Sequence, residues 1–318
     1  MRFFDLHCDT IVECFEQGVA LYDNPLAVSV AQTAEFEASA HCFALWVGDG
    51  PDDRETCRRV RRLAEFFEAQ MKDCYPLLRR GNLPLIGGLG QRTAFLTVEN
   101  GAALGGDVGM VSVLRRLGAV MMTLCWNGEN RLAGGCESRA HLTGFGRTVV
   151  AEMERVGMLV DVSHLNDQSF YEVAACANEP LVASHSNARA VCRHPRNLTD
   201  SQAKLIVDSG GLIGVTLYDE FIRAGGGASM EDLCRHVEHW LNLGLEDHIA
   251  VGTDFDGGPT LECIPDIGHI AGWFDRLVER GIPAAVCDKI FYRNAARFFE
   301  GRLCRKGGLS AAAQKTQG

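Results

Sequence analysis

The chain has 318 residues, 47% hydrophobic and 23% charged, with 41 Asp+Glu against 31 Lys+Arg, a formal charge of −10 and a pI near 5.5. That length suits two average domains or one large α/β barrel. The composition excludes a disordered chain, and the acidic balance argues against nucleic acid or an anionic membrane surface as the main partner.

The 13 cysteines are odd in number, include no CxxC, and have Cys8 and Cys14 as their closest pair. This reads as reduced thiols in a core, not a disulfide framework or a zinc knuckle. No window approaches the ~20 apolar residues of a membrane span. The start, Met1-Arg2-Phe3-Phe4-Asp5, reaches a charge before a signal-like stretch forms. The expectation is a soluble, cytoplasmic protein.

In chain order, a first apolar run at 3–6 is followed by a second at 42–47. A helix then opens near Asp53, with Cys57, Val60, Ala64, Phe67 and Met71 on one stripe. Gly87-Gly88-Leu89-Gly90 lacks phosphate-loop spacing and reads as a plain loop. A run at 94–98 precedes a helical stripe of Val111, Leu114 and Leu117, ended by Gly118, and the next run is 120–124. Gly157 stops a helix before the run 158–162, and a sixth run occupies 181–183. Thr199 with Gln202 opens a helix that Gly210 ends, ahead of 212–215; Ser229 with Asp232 opens another that Gly244 ends, ahead of 249–252. The tail, 305–318, is expected to fray.

These eight runs are near-continuous in hydrophobicity, as strands buried on both faces should be. Eight strands alternating with helices predict an α/β fold, a (β/α)8 TIM-type barrel, as one domain over 1–304. An open doubly wound sheet is the rival.

In a barrel, chemistry sits just past the strands' carboxyl ends. There the sequence places His7-Cys8-Asp9, Glu99-Asn100, Asp161-Val162-Ser163-His164, Ser184-His185-Ser186 and Asp254-Phe255-Asp256-Gly257. His7 and Asp9 point the same way by the period of two, so the pair can grip one metal ion. His164 and His185, on adjacent strands, can serve a second ion, with Glu99 as a bridge. Nitrogen and oxygen donors without thiolate suit zinc, with manganese or cobalt as alternatives. Singly, each residue has a plainer role: a structural histidine, a helix cap at Glu99, a turn from Asp254 to Gly257, and at Cys8 a buried thiol facing the other way. Their convergence on one rim is what favours metal. His236 and His239 read as a solvated helix face, and His41, His141, His194, His248 and His269 as structural or surface groups. No GxSxG elbow supports the serines beside His164 and His185 as nucleophiles.

With Arg196-Asn197-Leu198-Thr199-Asp200 added, these motifs resemble the membrane dipeptidase (renal dipeptidase-like) family of zinc peptidases, in the amidohydrolase superfamily, over nearly the whole chain. The resemblance implies a (β/α)8 barrel and two zinc ions, His7 and Asp9 on one, His164 and His185 on the other, with Glu99 bridging. It implies Arg196 on the substrate's terminal carboxylate, Asp254 as the proton carrier, Tyr218 as a pocket aromatic, a dipeptide substrate with D-residues accepted at its second position, and a homodimer. A hydroxide bridging the ions would attack the scissile carbonyl. One position departs: Trp126 stands where mammalian members carry an oxyanion-steadying histidine, with Asn127 beside it as a substitute. A lactonase or deaminase of the same superfamily is the alternative enzyme, though those usually open with HxH; a metal-binding scaffold without catalysis is the alternative outside enzymology.

Overall fold

The computed structural model describes residues 1–50, 53–74, 79–80 and 92–302. The loop at Gly87–Gly90 and the tail 305–318 lie outside the described residues. Eight parallel strands are named here in chain order: β1 Arg2–Cys8, β2 Ala38–Trp46, β3 Arg92–Glu99, β4 Ala119–Thr123, β5 Leu159–Asp161, β6 Leu181–Ala183, β7 Leu212–Val215 and β8 Ile249–Val251. Each pairs with the next, β8 pairs back to β1, and the ring closes, so the open sheet is excluded and the barrel stands. A two-residue strand, Arg79–Arg80, adds to the start of β3.

The helices between strands include α1 Thr10–Gln17, α2 Asp53–Asp73, α3 Gly109–Arg116, α4 Gly144–Val156, α5 Asp167–Cys176, α6 Asp200–Asp208, α7 Asp219–Ile222 and α8 Met230–Asn242. The helix starts at Thr199 and Ser229 are reciprocal capping boxes, each side chain accepting from the backbone three residues on. Two patterns needed correction. β2 begins four residues before the expected run, because Ala38-Ser39-Ala40-His41 is too small and polar to read as a strand. Leu117 is 37% exposed, so the α3 stripe ends at Leu114.

Two apolar clusters divide the molecule. One fills the barrel interior with a residue or two from every strand, among them Phe4, Leu6, Cys42, Phe95, Leu159, Val182, Leu212 and Ala250, and is closed from below by Tyr292, Ala295 and Phe299. The other lies between the barrel and its helices. Among the described residues every cysteine is free; most are buried, but Cys263 is exposed, so the core-thiol reading does not extend to it. No helix of the described residues is long and apolar enough to cross a membrane.

Candidate metal centre

The inward face of β1 carries Phe4 and Leu6, and strict alternation would send His7 outward. It does not, because β1 bulges: Asp5 opposes His41 and Cys8 opposes Phe43, three residues of β1 advancing against two of β2. The extra residue reverses the parity, turning His7 and Asp9 into the barrel mouth and Cys8 out to the helix-side core. The bulge is held by Asp5, whose carboxylate accepts from the His7 amide at 3.2 Å, the Thr253 amide at 2.8 Å and the Thr253 hydroxyl at 2.6 Å. Burial pushes the Asp5 carboxyl up to about 7 despite these donors.

Asp9 is a type of residue that usually caps the helix it precedes, yet it makes no cap bond to α1. Its Oδ2 lies 3.3 Å from His7 Nε2, and its Oδ1 is buried without a partner. Glu99 ends the inward-facing series Phe95, Thr97, Glu99 of β3 and reaches both histidine groups: Oε2 is 3.3 Å from His7 Nε2, Oε1 is 2.8 Å from His164 Nε2. His164 Nε2 and His185 Nε2 are 2.9 Å apart, and Asp254 Oδ1 is 3.8 Å from His7 Nε2. The ligand atoms form three overlapping groups, each within 4.8 Å: His7, Asp9 and Glu99; Glu99, His164 and His185; His7, His185 and Asp254. All five expected ligands therefore meet in one place, and Asp254 joins them.

Two strand ends are bent to achieve this. His164 and Asp254 have φ of 72° and 64°, a left-handed conformation that side-chain-bearing residues adopt only where the surroundings enforce it. Gly257 is needed as glycine, since a Cβ there would sit 2.5 Å from Asp9 Oδ2 and 2.6 Å from Asp254 Oδ1.

The two paired imidazoles are oriented from behind. Asp161, buried at the end of β5, accepts from the amides of Ser163 and Ser184 at 3.0 Å each, from Thr123 Oγ1 at 2.7 Å and from Ser184 Oγ at 2.6 Å. With its proton committed to Asp161, Ser184 Oγ accepts from His185 Nδ1 at 2.7 Å. His164 Nδ1 faces Asn127 Oδ1 at 2.8 Å. Both imidazoles thus carry the proton on Nδ1 and turn a bare Nε2 to the centre.

The electrostatics fit a cation. Burial, then repulsion from Glu99, pushes Asp9 up to about 8. Burial also raises Asp254, and lowers His164 to about 4, with Arg196 adding to the effect. For His7 burial opposes the charged form, but Glu99 and Asp9 outweigh it and hold its pKa well above the ordinary value. Crowded carboxylates, two bare nitrogens facing each other and an unpartnered Asp9 oxygen are what divalent ions would satisfy.

Above the centre lies a cavity of about 270 Å³ with Asp9, Glu99, His164 and Asp254 in its floor. One wall is Trp46 and Trp126, packed edge to face at 5.3 Å; another is Tyr218 stacked on Phe221 at 4.2 Å. Trp126, Asn127 and Tyr218 thus line the cavity as expected, while Trp46 and Phe221 are additions. Trp46 was discoverable, since it continues the inward series Ala40, Cys42, Ala44 of β2. Arg196 is not among the lining residues. It is 4% exposed, lies 5.2 Å over the Phe221 ring, donates to the His185 carbonyl at 3.4 Å, and leaves Nε unpartnered. Among the described residues no carboxylate pairs with it. His236 is a correction: instead of facing solvent it is fully buried, accepting from the Ala188 amide at 3.1 Å and lying 3.0 Å from the Ile222 carbonyl.

The membrane dipeptidase (peptidase family M19) profile matches residues 1–304. An uncharacterised protein from the pqqA 5′ region of Klebsiella pneumoniae is 36% identical over 184 residues, which is 54% of this chain and 68% of that one. An uncharacterised dipeptidase of Schizosaccharomyces pombe is 32% identical over 183 residues, covering 54% of this chain and 44% of its own length. The fold is shared with a metallo peptidase from Rhodobacter sphaeroides solved with a phosphinate mimic of L-Ala-D-Ala, at a TM-score of 0.86, 22% identity, 95% of this chain and 99% of that one. The chain belongs to the membrane dipeptidase family of metallopeptidases.

Proposed function

We propose that this family member hydrolyses dipeptides with two zinc ions, one held by His7 and Asp9, the other by His164 and His185, and both by Glu99. The observation that carries the reading is the set of three ligand groups sharing His7, Glu99 and His185 beneath a cavity of dipeptide scale. Bound there, the ions would supply Lewis acidity and an activated water near neutral pH.

The chain's own residues supply the rest. Arg196 is a buried guanidinium with no carboxylate partner among the described residues, set 5.2 Å over the ring of the wall residue Phe221, and a planar fork suits a carboxylate, so on this reading it receives the substrate's carboxyl terminus from behind that wall. Fixing that end limits the substrate to two residues, because a longer peptide would bring its carboxylate elsewhere. Asp254, whose carboxyl burial raises above its ordinary value, accepts a proton at Oδ1 and returns it to the leaving amine. Tyr218 and Phe221 border the carboxyl-terminal side, and Trp126 lines the cavity with a single N–H as its one donor. A D-residue at the second position is accepted.

The test is a panel of L,L and L,D dipeptides with matching tripeptides, offered to zinc-loaded protein and to the same protein after chelation. Cleavage of dipeptides only, lost on chelation and restored by zinc, supports the reading. Equal cleavage of tripeptides removes the role of Arg196, and full activity without metal removes the mechanism.

A further inference from the structure

We infer that Asn127 is a positioning residue that sets how tightly the His164–His185 position holds its ion, an inference resting on the two-ion reading above. The two histidines of that position are steadied unequally. His185 follows a regular strand and hangs on Ser184 and Asp161, inside the barrel and fully hydrogen-bonded. His164 sits past the end of β5 in a left-handed conformation, so its backbone alone does not dictate where its ring points. Among the described residues its Nδ1 has one hydrogen-bond partner, Asn127 Oδ1 at 2.8 Å.

Asn127 is built to hold that aim. Its carbonyl accepts from the Glu137 amide at 2.9 Å, and the Gly135 amide donates to the Gly128 carbonyl at 2.7 Å, drawing the segment after β4 into a tight loop. Gly135 lies so close that a Cβ would come within 1.9 Å of the Trp126 carbonyl and 2.4 Å of the Asn127 carbonyl. The Cys136 thiol donates to the same Oδ1 at 3.4 Å, fixing the amide's orientation with the oxygen towards His164. As acceptor for Nδ1–H, Asn127 selects the tautomer whose Nε2 faces Glu99 and His185. Without it the ring is free to turn and to protonate Nε2, and the ion loses a nitrogen. The amide oxygen is therefore committed to the metal centre, and only its NH2 group is free for substrate.

The experiment is zinc affinity by competition with a chromogenic chelator, on wild-type protein and the variants Asn127→Ala, Asn127→Asp and Ser184→Ala. Asn127→Ala should weaken one of two ions by about 10- to 100-fold and leave the other unchanged. Asn127→Asp, which keeps an acceptor oxygen, should stay near wild type, and Ser184→Ala should weaken the same ion as Asn127→Ala. Metal-free melting temperatures separate positioning from folding, and Asn127→Leu, which also lacks an acceptor, replaces the alanine variant should that protein not fold. Wild-type affinity in Asn127→Ala, or equal weakening by the aspartate variant, overturns the inference. Because the readout is metal binding, a protein that cleaves no dipeptide yet shows this pattern refutes the proposed substrate and keeps the role of Asn127.

Discussion

The two ends of the barrel interior are built on opposite principles. At the lower end Phe4, Phe95 and Phe299 pack ring to ring at 4.9 to 5.6 Å, with no polar side chain among them. At the upper end, four residues further along the same β3 strand, Glu99 lies among three imidazoles and two aspartates whose protonation equilibria burial and neighbouring charges have displaced. The lower end gains its stability from apolar area alone. The upper end is electrostatically unfavourable as it stands, and its geometry is maintained by the rest of the fold: a bulge, two left-handed residues and the anchors Asp161 and Asn127. Removing the lower end should therefore cost stability and spare chemistry, while changes at the upper end should do the reverse.

The largest effect should come from emptying the upper end of metal: dialysis against a chelator is expected to abolish dipeptide cleavage, with metal analysis following its return. Next, Asp254→Asn should lower kcat by about 10² to 10⁴. The accompanying metal content sharpens the assignment, because two ions retained means proton transfer, whereas one ion lost makes Asp254 a ligand. Phe95→Ala at the lower end should cost about 3–5 kcal/mol in chemical denaturation and leave KM and metal affinity unchanged; altered metal affinity would show that the two ends are coupled along β3. Arg196→Met should raise KM by about 10- to 100-fold, the worth of one charge-assisted contact, with kcat much less affected.

This division also marks what the sequence reveals. The eight strands, the glycine stops and the capping boxes follow from local pattern, and His7, Asp9, Glu99, His164, His185 and Asp254 are legible because strand ends are where a barrel keeps its polar groups. The bulge in β1 was not legible: it depends on Asp5 meeting Thr253, 248 residues away. The same holds for Asn127, whose partner His164 is 37 residues on, and for the buried His236, whose partners come from Ala188 and Ile222. Side chains that act through a distant partner leave no periodic trace.

The smallest expected effect belongs to a histidine outside both ends, in the apolar layer between the barrel and its helices. His41 opposes Asp5 across β1 and β2, yet it is buried between the rings of Phe3 and Phe43 at 5.8 and 6.0 Å, and both ring nitrogens lack partners. Burial alone lowers its pKa to about 3. Since the folded value lies below the unfolded one of about 6.5, its neutrality contributes stability that is fully present above pH 6.5 and is lost as pH falls towards 3. Over that window the loss is at most about 1.4 kcal/mol per pH unit. His236, lowered to about 4, acts with the same sign and remains in any His41 variant. His41→Phe in metal-free protein should therefore flatten, without abolishing, the decline of unfolding free energy between pH 6.5 and 4, and should leave stability at pH 8 nearly unchanged. An undiminished slope in the variant would mean that His41 gains a partner or water on protonation, and that this apolar layer is less dry than its packing implies.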